Sequence, residues 1–167
     1  VKVITHNGNG EVYNVRRSMK TGELDIFVRS SQAISVMNKV ITDNSDFLSK
    51  HISAAKAFGF RTFFINDPLY RSNSVGLSDP IICYGRAGKV GYVERTDVIT
   101  HGDWIDLWKV YVPESNNIGT ELNDDNQNAF IGRPKTICTE TFLVIGADLS
   151  LNEESAKNLC AYLKTKF

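Results

Sequence analysis

The chain has 167 residues, 42% apolar and 23% charged, and its nineteen basic and nineteen acidic residues give a formal net charge of zero. These values fit one globular domain, argue against general disorder, and leave no global field to draw in nucleic acid or anionic lipid. Cys83, Cys138 and Cys160 are odd in number and far apart, which suits reduced thiols in the cytoplasm better than a disulfide frame; no apolar run reaches the roughly 18 residues of a membrane span, and no signal peptide opens the chain.

Residues 1–5 and 11–15 alternate apolar and polar side chains around His6-Asn7-Gly8-Asn9-Gly10, which predicts a β-hairpin. A third strand is expected at 24–28. Ala33, Val36, Met37, Val40 and Ile41 recur at the α period and predict a helix, with Ser30 or Ser31 to cap it. Residues 46–57 are ambiguous: Phe47, Leu48 and Ile52 fit a short helix leading into an extended stretch. Residues 61–65 read as a strand, 66–80 as turns, and 80–84 with 89–94 as a second hairpin whose tip is Gly85-Arg86-Ala87-Gly88. A short strand follows at 108–113.

Residues 114–135 are rich in Asn, Asp, Gly and Gln and lack periodicity, which predicts a long loop of the kind that is usually functional or disordered. Residues 136–146 are β-rich. Residues 152–167 form a helix with Ser150 and Glu153 as a capping box and Ala156, Leu159, Cys160, Leu163 and Phe167 as its apolar face. The expected fold is therefore α+β: a single mixed domain of mostly antiparallel strands and hairpins, with a helix near 31–43 and a C-terminal helix near 152–167. The chain opens on Val1 and its last helix has no Gly, Asn or Pro to stop it, as expected of a fragment of a larger protein.

Most catalytic signatures are missing. There is no Walker A loop, H-E-x-x-H, G-x-S-x-G or Cys-x-x-Cys, and no Asp or Glu stands two residues before a lysine as in many restriction nucleases. His6, His51 and His101 are isolated and read as surface or loop residues. Ser53-Ala54-Ala55-Lys56 and Lys20-Thr21-Gly22 imitate an acylating-serine pattern, but in the wrong order and without its S-D-N element.

What remains are cations in predicted turns: Arg16, Arg17 and Lys20; Lys56 and Arg61 about a bend; Arg86 and Lys89 on a hairpin tip; Arg133 and Lys135 after the long loop. Solvated loop charges need no function. Joined with Asn116, Asn117, Asn126, Gln127 and Asn128 they also suit a DNA reader, because Asn and Gln bond adenine edges while Arg bonds guanine or phosphate. A neutral chain would bind weakly by itself, since phosphate neutralisation supplies most of the affinity.

Three stretches carry a resemblance. Residues 109–119 read Lys-Val-Tyr-Val-Pro-Glu-Ser-Asn-Asn-Ile-Gly, residues 136–146 read Thr-Ile-Cys-Thr-Glu-Thr-Phe-Leu-Val-Ile-Gly, and the chain closes on Ala-Tyr-Leu-Lys-Thr-Lys-Phe. In that order they resemble the target-recognition region of bacterial type IIG-like restriction–modification adenine-specific DNA methyltransferases. Residues 53–62 and Gly91-Tyr92-Val93-Glu94-Arg95 match more weakly. The resemblance covers residues 50–167; residues 1–49 are not placed by it. It implies DNA sequence recognition for an enzyme whose methyltransferase and nuclease parts, with S-adenosylmethionine and Mg, lie elsewhere. The family's glycine-rich cofactor loop and Asn-Pro-Pro-Tyr motif are absent here, so methyl transfer, a cofactor and a metal are not carried over. Thr139, Glu140 and Thr141 match the family's motif but alternate with Cys138 and Phe142, as expected of a structural strand with Glu140 paired or hydrogen-bonded.

The candidate DNA-binding residues are Lys56, Arg61, Arg86, Lys89, Asn116, Asn117, Arg133 and Lys135. Double-stranded DNA and the catalytic domains of the parent polypeptide are the expected partners, with no membrane and no catalytic residue. Two other readings stay open: a protein–protein docking module of the same enzyme, and a hydrolase whose active site assembles from distant residues.

Overall fold

The computed structural model describes residues 1–6, 8–19, 28, 31–41, 47–115 and 128–165. The chain divides into two compact units, Val1–Asp46 and Phe47–Phe167. The fold is α+β, with antiparallel pairing dominant.

In the first unit, β1 (Lys2–His6) and β2 (Val12–Arg16) form the expected hairpin, in register from Lys2 opposite Arg16 to His6 opposite Val12. Gly10, at φ 82°, supplies a left-handed turn residue. The Arg17 guanidinium donates to the Val28 carbonyl. Helix α1 spans Ser31–Val40. The strand expected at 24–28 and the Ser30 cap lie outside the described residues, except for Val28.

The second unit holds two three-stranded sheets. In the first, β3 (Pro80–Tyr84) pairs antiparallel with β4 (Val90–Glu94) and parallel with β7 (Thr136–Cys138). In the second, β5 (Lys109–Pro113) lies between β6 (Phe130–Gly132) and β8 (Phe142–Ile145), antiparallel to both. Helix α2 (Glu153–Leu163) packs on β5 and β6. Strand β5 is buried on both faces, which explains its continuous apolar run. Val110 and Val112 share one cluster with Ile145 and Cys160, under Leu159 and Leu163 of the helix. Tyr111 points the other way and joins the sheets: its ring meets Tyr84 at 5.6 Å, Phe130 at 5.2 Å and Phe142 at 6.4 Å. Gly132 is glycine because the Tyr111 ring lies over it; an added Cβ would stand 2.6 Å from the ring.

Lys109 is fully buried beside this cluster. Its ammonium donates to the carbonyls of Trp104 (2.8 Å), Ile105 (3.2 Å) and Leu107 (2.8 Å), so each N–H has an acceptor. Burial pushes its pKa down to about 8, which still leaves it charged at neutral pH.

Four sequence expectations are corrected. Residues 61–65 are not a strand: Thr62–Asn66 is a 3₁₀ turn, because Glu140 accepts from the Thr62 N–H and hydroxyl at its start and Pro68 follows its end. The loop expected at 114–135 contains β6, since Phe130 and Ile131 pair with Tyr111 and Val110. The α2 capping box is Asn152 with Ser155, not Ser150 with Glu153: each side chain bonds the other's backbone N–H at 2.8 Å, while Ser150 sits at φ 51° outside the helix. Thr139–Thr141 form the turn between β7 and β8 rather than a strand; Thr139 is buried and Glu140 is hydrogen-bonded.

Candidate nucleic-acid interface

The β4–β3–β7 sheet has two ends, and the candidate cations are divided between them. Because β3 and β7 are parallel, their C-terminal ends at Tyr84 and Cys138 lie together, where β4 begins. The Thr139 N–H donates to the Tyr84 carbonyl (2.9 Å) and the Glu140 N–H to the Phe60 carbonyl (2.8 Å), which draws residues 56–66 to this same end. The tip Arg86–Gly88 also projects here, closed by the Gly85 N–H on the Lys89 carbonyl at 2.8 Å. Gly85 lies so close to the 3₁₀ turn that a Cβ would stand 2.4 Å from Ile65. Lys56, Arg61, Arg86 and Lys89 are thereby brought together at one end of one sheet.

The geometry of this end is stiff. Lys56 and Ala87 occupy left-handed backbone at φ 59° and 54°, and Gly59 does so at φ 87°. Phe58 is fully buried beneath the bend. The 3₁₀ turn is held by Phe64 N–H on the Arg61 carbonyl (3.0 Å), by Asp67 N–H on the Phe64 carbonyl (2.9 Å), and by stacking of Phe60 on Phe64 with ring centroids 4.0 Å apart. Two shallow depressions flank the turn. Gly59, Arg61, Phe63 and Asn66 are among the residues lining one; Ile65, Tyr70 and Lys89 are among those lining the other.

Hydrogen bonds from the Thr62 backbone and hydroxyl, with Arg61 and Lys56 nearby, hold the Glu140 carboxyl below the usual carboxylate range. Glu140 anchors the turn and leaves Arg61 and Lys56 facing solvent or half-buried around it. Glu140→Ala is expected to free the start of the turn. The Thr62 amide should then exchange with deuterium faster, while amides of β3 and β7 keep their protection; equal protection in both proteins would mean the carboxylate is not the anchor.

The opposite end of the sheet is electrostatically closed. Lys135, in left-handed backbone at φ 61°, bonds Asp79 at 3.0 Å; Arg95 bonds Asp79 at 2.5 Å and Asp106 through two contacts at 2.9 Å. Lys135 and then Arg95 hold Asp79 below the carboxylate range, and Arg95 does so for Asp106. Arg133 acts on Glu153, whose pKa is lowered first by its hydrogen bond from Lys157 and further by Arg133. Lys135 thus sits on a carboxylate, about a five-residue strand length, roughly 17 Å, from the tip that carries Arg86 and Lys89, and Arg133 is exposed just after β6. Asn116 and Asn117 lie outside the described residues; Asn128 is exposed just before β6.

Sequence reading missed Phe63, which is 68% exposed, and Ile99, which is 86% exposed, at the cationic end. The adjacent pair Phe63-Phe64 ahead of Asp67-Pro68 was the available signal, since a half-buried strand would hide only one of two neighbours.

All three cysteines are free and buried. Among the described residues, no three or more His, Cys, Asp or Glu side chains are grouped to hold a metal ion, and no helix is long and apolar enough to cross a membrane. Comparison of the chain with protein-family models, with curated proteins and with solved structures finds no match.

Proposed function

We propose that the unit from residue 47 onward contacts double-stranded DNA through the end of the β4–β3–β7 sheet that carries Lys56, Arg61, Arg86 and Lys89, and that it serves as the sequence-recognition part of a restriction–modification adenine methyltransferase. One observation carries the DNA reading. These cations are set together on hydrogen-bonded turns with Glu140 as an internal anchor, while Lys135 at the other end is paired with Asp79. A zero net charge is compatible with a local cationic face when the compensating acids are segregated. The methyltransferase context rests on the sequence resemblance of residues 50–167. Methyl transfer and cleavage, with S-adenosylmethionine and Mg, are assigned to parts of the parent enzyme outside this chain.

The test is binding of the chain to a randomised duplex pool at low salt, followed by sequencing of the retained DNA. Enrichment of a short motif is the expected result. Alanine at Lys56, Arg61, Arg86 or Lys89 should reduce the slope of log affinity against log salt by about one for each phosphate left without its cation. Alanine at Arg133 or Lys135 should leave that slope unchanged. No binding at any salt, or equal effects at both ends of the sheet, would overturn the assignment of this surface.

A further inference from the structure

Phe63 is solvent-exposed although its neighbours Phe60 and Phe64 are packed against the core. A mobile loop would let such a ring fold back onto apolar surface. The segment here is instead fixed by Glu140 on Thr62, by the bonds to the Arg61 and Phe64 carbonyls, and by the Phe60–Phe64 stack. The turn therefore holds the ring outward. Ile99 is the second outward apolar residue at this place. Gly59 lines the same depression as Phe63, and a Cβ on Gly59 would stand 3.4 Å from Ile99 Cγ1. Arg61 and Asp67 also line that depression, and Lys56 lies three residues before Gly59, whose N–H bonds the Lys56 carbonyl at 2.8 Å.

An aromatic side chain held outward on a hydrogen-bonded turn, with an exposed branched aliphatic near Gly59 and with Arg61, Lys56 and the Asp67 carboxylate around them, matches a particular chemistry. The cations suit phosphates, and the apolar pair suits the face of a base once its stacking partner is displaced. A partner protein would be offered the same apolar atoms but would need matching acids for Arg61 and Lys56. DNA supplies both features in one ligand.

We infer that Phe63, flanked by Ile99, is a wedge that stacks on a base step of the bound duplex and opens it, with Arg61 and Lys56 on the adjoining phosphates. The inference rests on the DNA-binding reading above and adds to it a distortion of the DNA. Wedge insertion of this kind bends a duplex by tens of degrees, roughly 20–90°.

The experiment uses the 167-residue chain and a short random-sequence duplex carrying a donor and an acceptor dye at its two ends. Binding and end-to-end energy transfer are measured together across a salt series for the natural protein, Phe63→Ala, Phe63→Trp and Ile99→Ala. Phe63→Ala should weaken binding by about tenfold, leave the salt slope intact, and lose the rise in energy transfer; Phe63→Trp should keep both signals. Ile99→Ala should fall between them. If the natural protein binds with a salt slope but Phe63→Ala binds and transfers energy as it does, the wedge is wrong and the DNA reading survives. If the natural protein does not bind the duplex, both fall. Binding by a protein partner that Phe63→Ala abolishes, with no effect on DNA, would also overturn the wedge.

Discussion

Tyr111→Ala is expected to cost about 4 kcal/mol of folding free energy, a large part of the roughly 5–15 kcal/mol that holds a domain. Tyr111 is fully buried at the centre of β5, and its ring is shared by Tyr84, Phe130 and Phe142. Removing it opens a cavity between the sheets that their strands cannot close, because Gly132 beneath the ring has no side chain to move in. Tyr84 ends the strand that leads to Arg86 and Lys89, so the loss should also blur the cationic tip. Tyr111→Phe keeps the ring and tests the hydroxyl alone. The Thr136 hydroxyl donates to the Arg133 carbonyl at 2.5 Å, so the Tyr111 hydroxyl, 3.1 Å from Thr136 Oγ1, is left as the donor to it. Its loss should cost about 1 kcal/mol. Urea denaturation of the three proteins checks both numbers. A Tyr111→Ala loss below that of Tyr111→Phe would show that the aromatic cluster contributes little.

Stability should also fall steeply in alkali, beginning near pH 9. Burial pushes the Cys83 thiol from 9.0 up to about 12, and burial, reinforced by Cys83, pushes Cys138 well above its ordinary value. An unfolded chain ionises both thiols while the folded chain keeps them protonated. Their contribution is therefore complete below about pH 9 and is lost as pH rises toward 12. Lys109 works in the opposite direction. Its folded pKa of about 8 lies below its ordinary 10.5, so between those values the unfolded chain binds more protons and stability rises with pH.

Two thiols against one amine leave a net loss of about 1.4 kcal/mol per pH unit between about pH 9 and 10.5, where Lys109 still opposes it. Tyr70, raised to about 12 by burial and then by Cys83, steepens it above pH 10. Thermal melts from pH 7 to pH 11 should show a maximum near pH 8–9 and then a fall. Cys83→Ala should flatten that fall by about 1.4 kcal/mol per unit. An equally steep fall in the variant would locate the alkaline sensitivity elsewhere.

The local codes were legible in the sequence because they act over a few residues. Glycines and alternation at 1–15 yield the first hairpin, the α period yields both helices, and Gly85–Gly88 yields the second hairpin's tip. The mixed α/β class followed from the same signals. The cations at turns could be named, but not sorted. Sorting them needed the parallel pairing of β3 with β7, which joins residues more than fifty positions apart and sets Lys56, Arg61, Arg86 and Lys89 at one end and Lys135 on Asp79 at the other.

The 61–65 segment shows why local pattern fails. Its composition favours a strand, yet a carboxylate 78 residues away takes the Thr62 N–H and hydroxyl and turns it into a 3₁₀ turn that exposes Phe63. Lys109 opens an apolar run, and only in the folded chain do three carbonyls of the preceding turn make its buried ammonium tolerable. Sequence by itself determined which elements could form, since backbone preference and periodicity are properties of neighbours. Tertiary structure decided which charges are neutralised and which face solvent, because burial and ion pairing depend on residues the chain brings together only when folded.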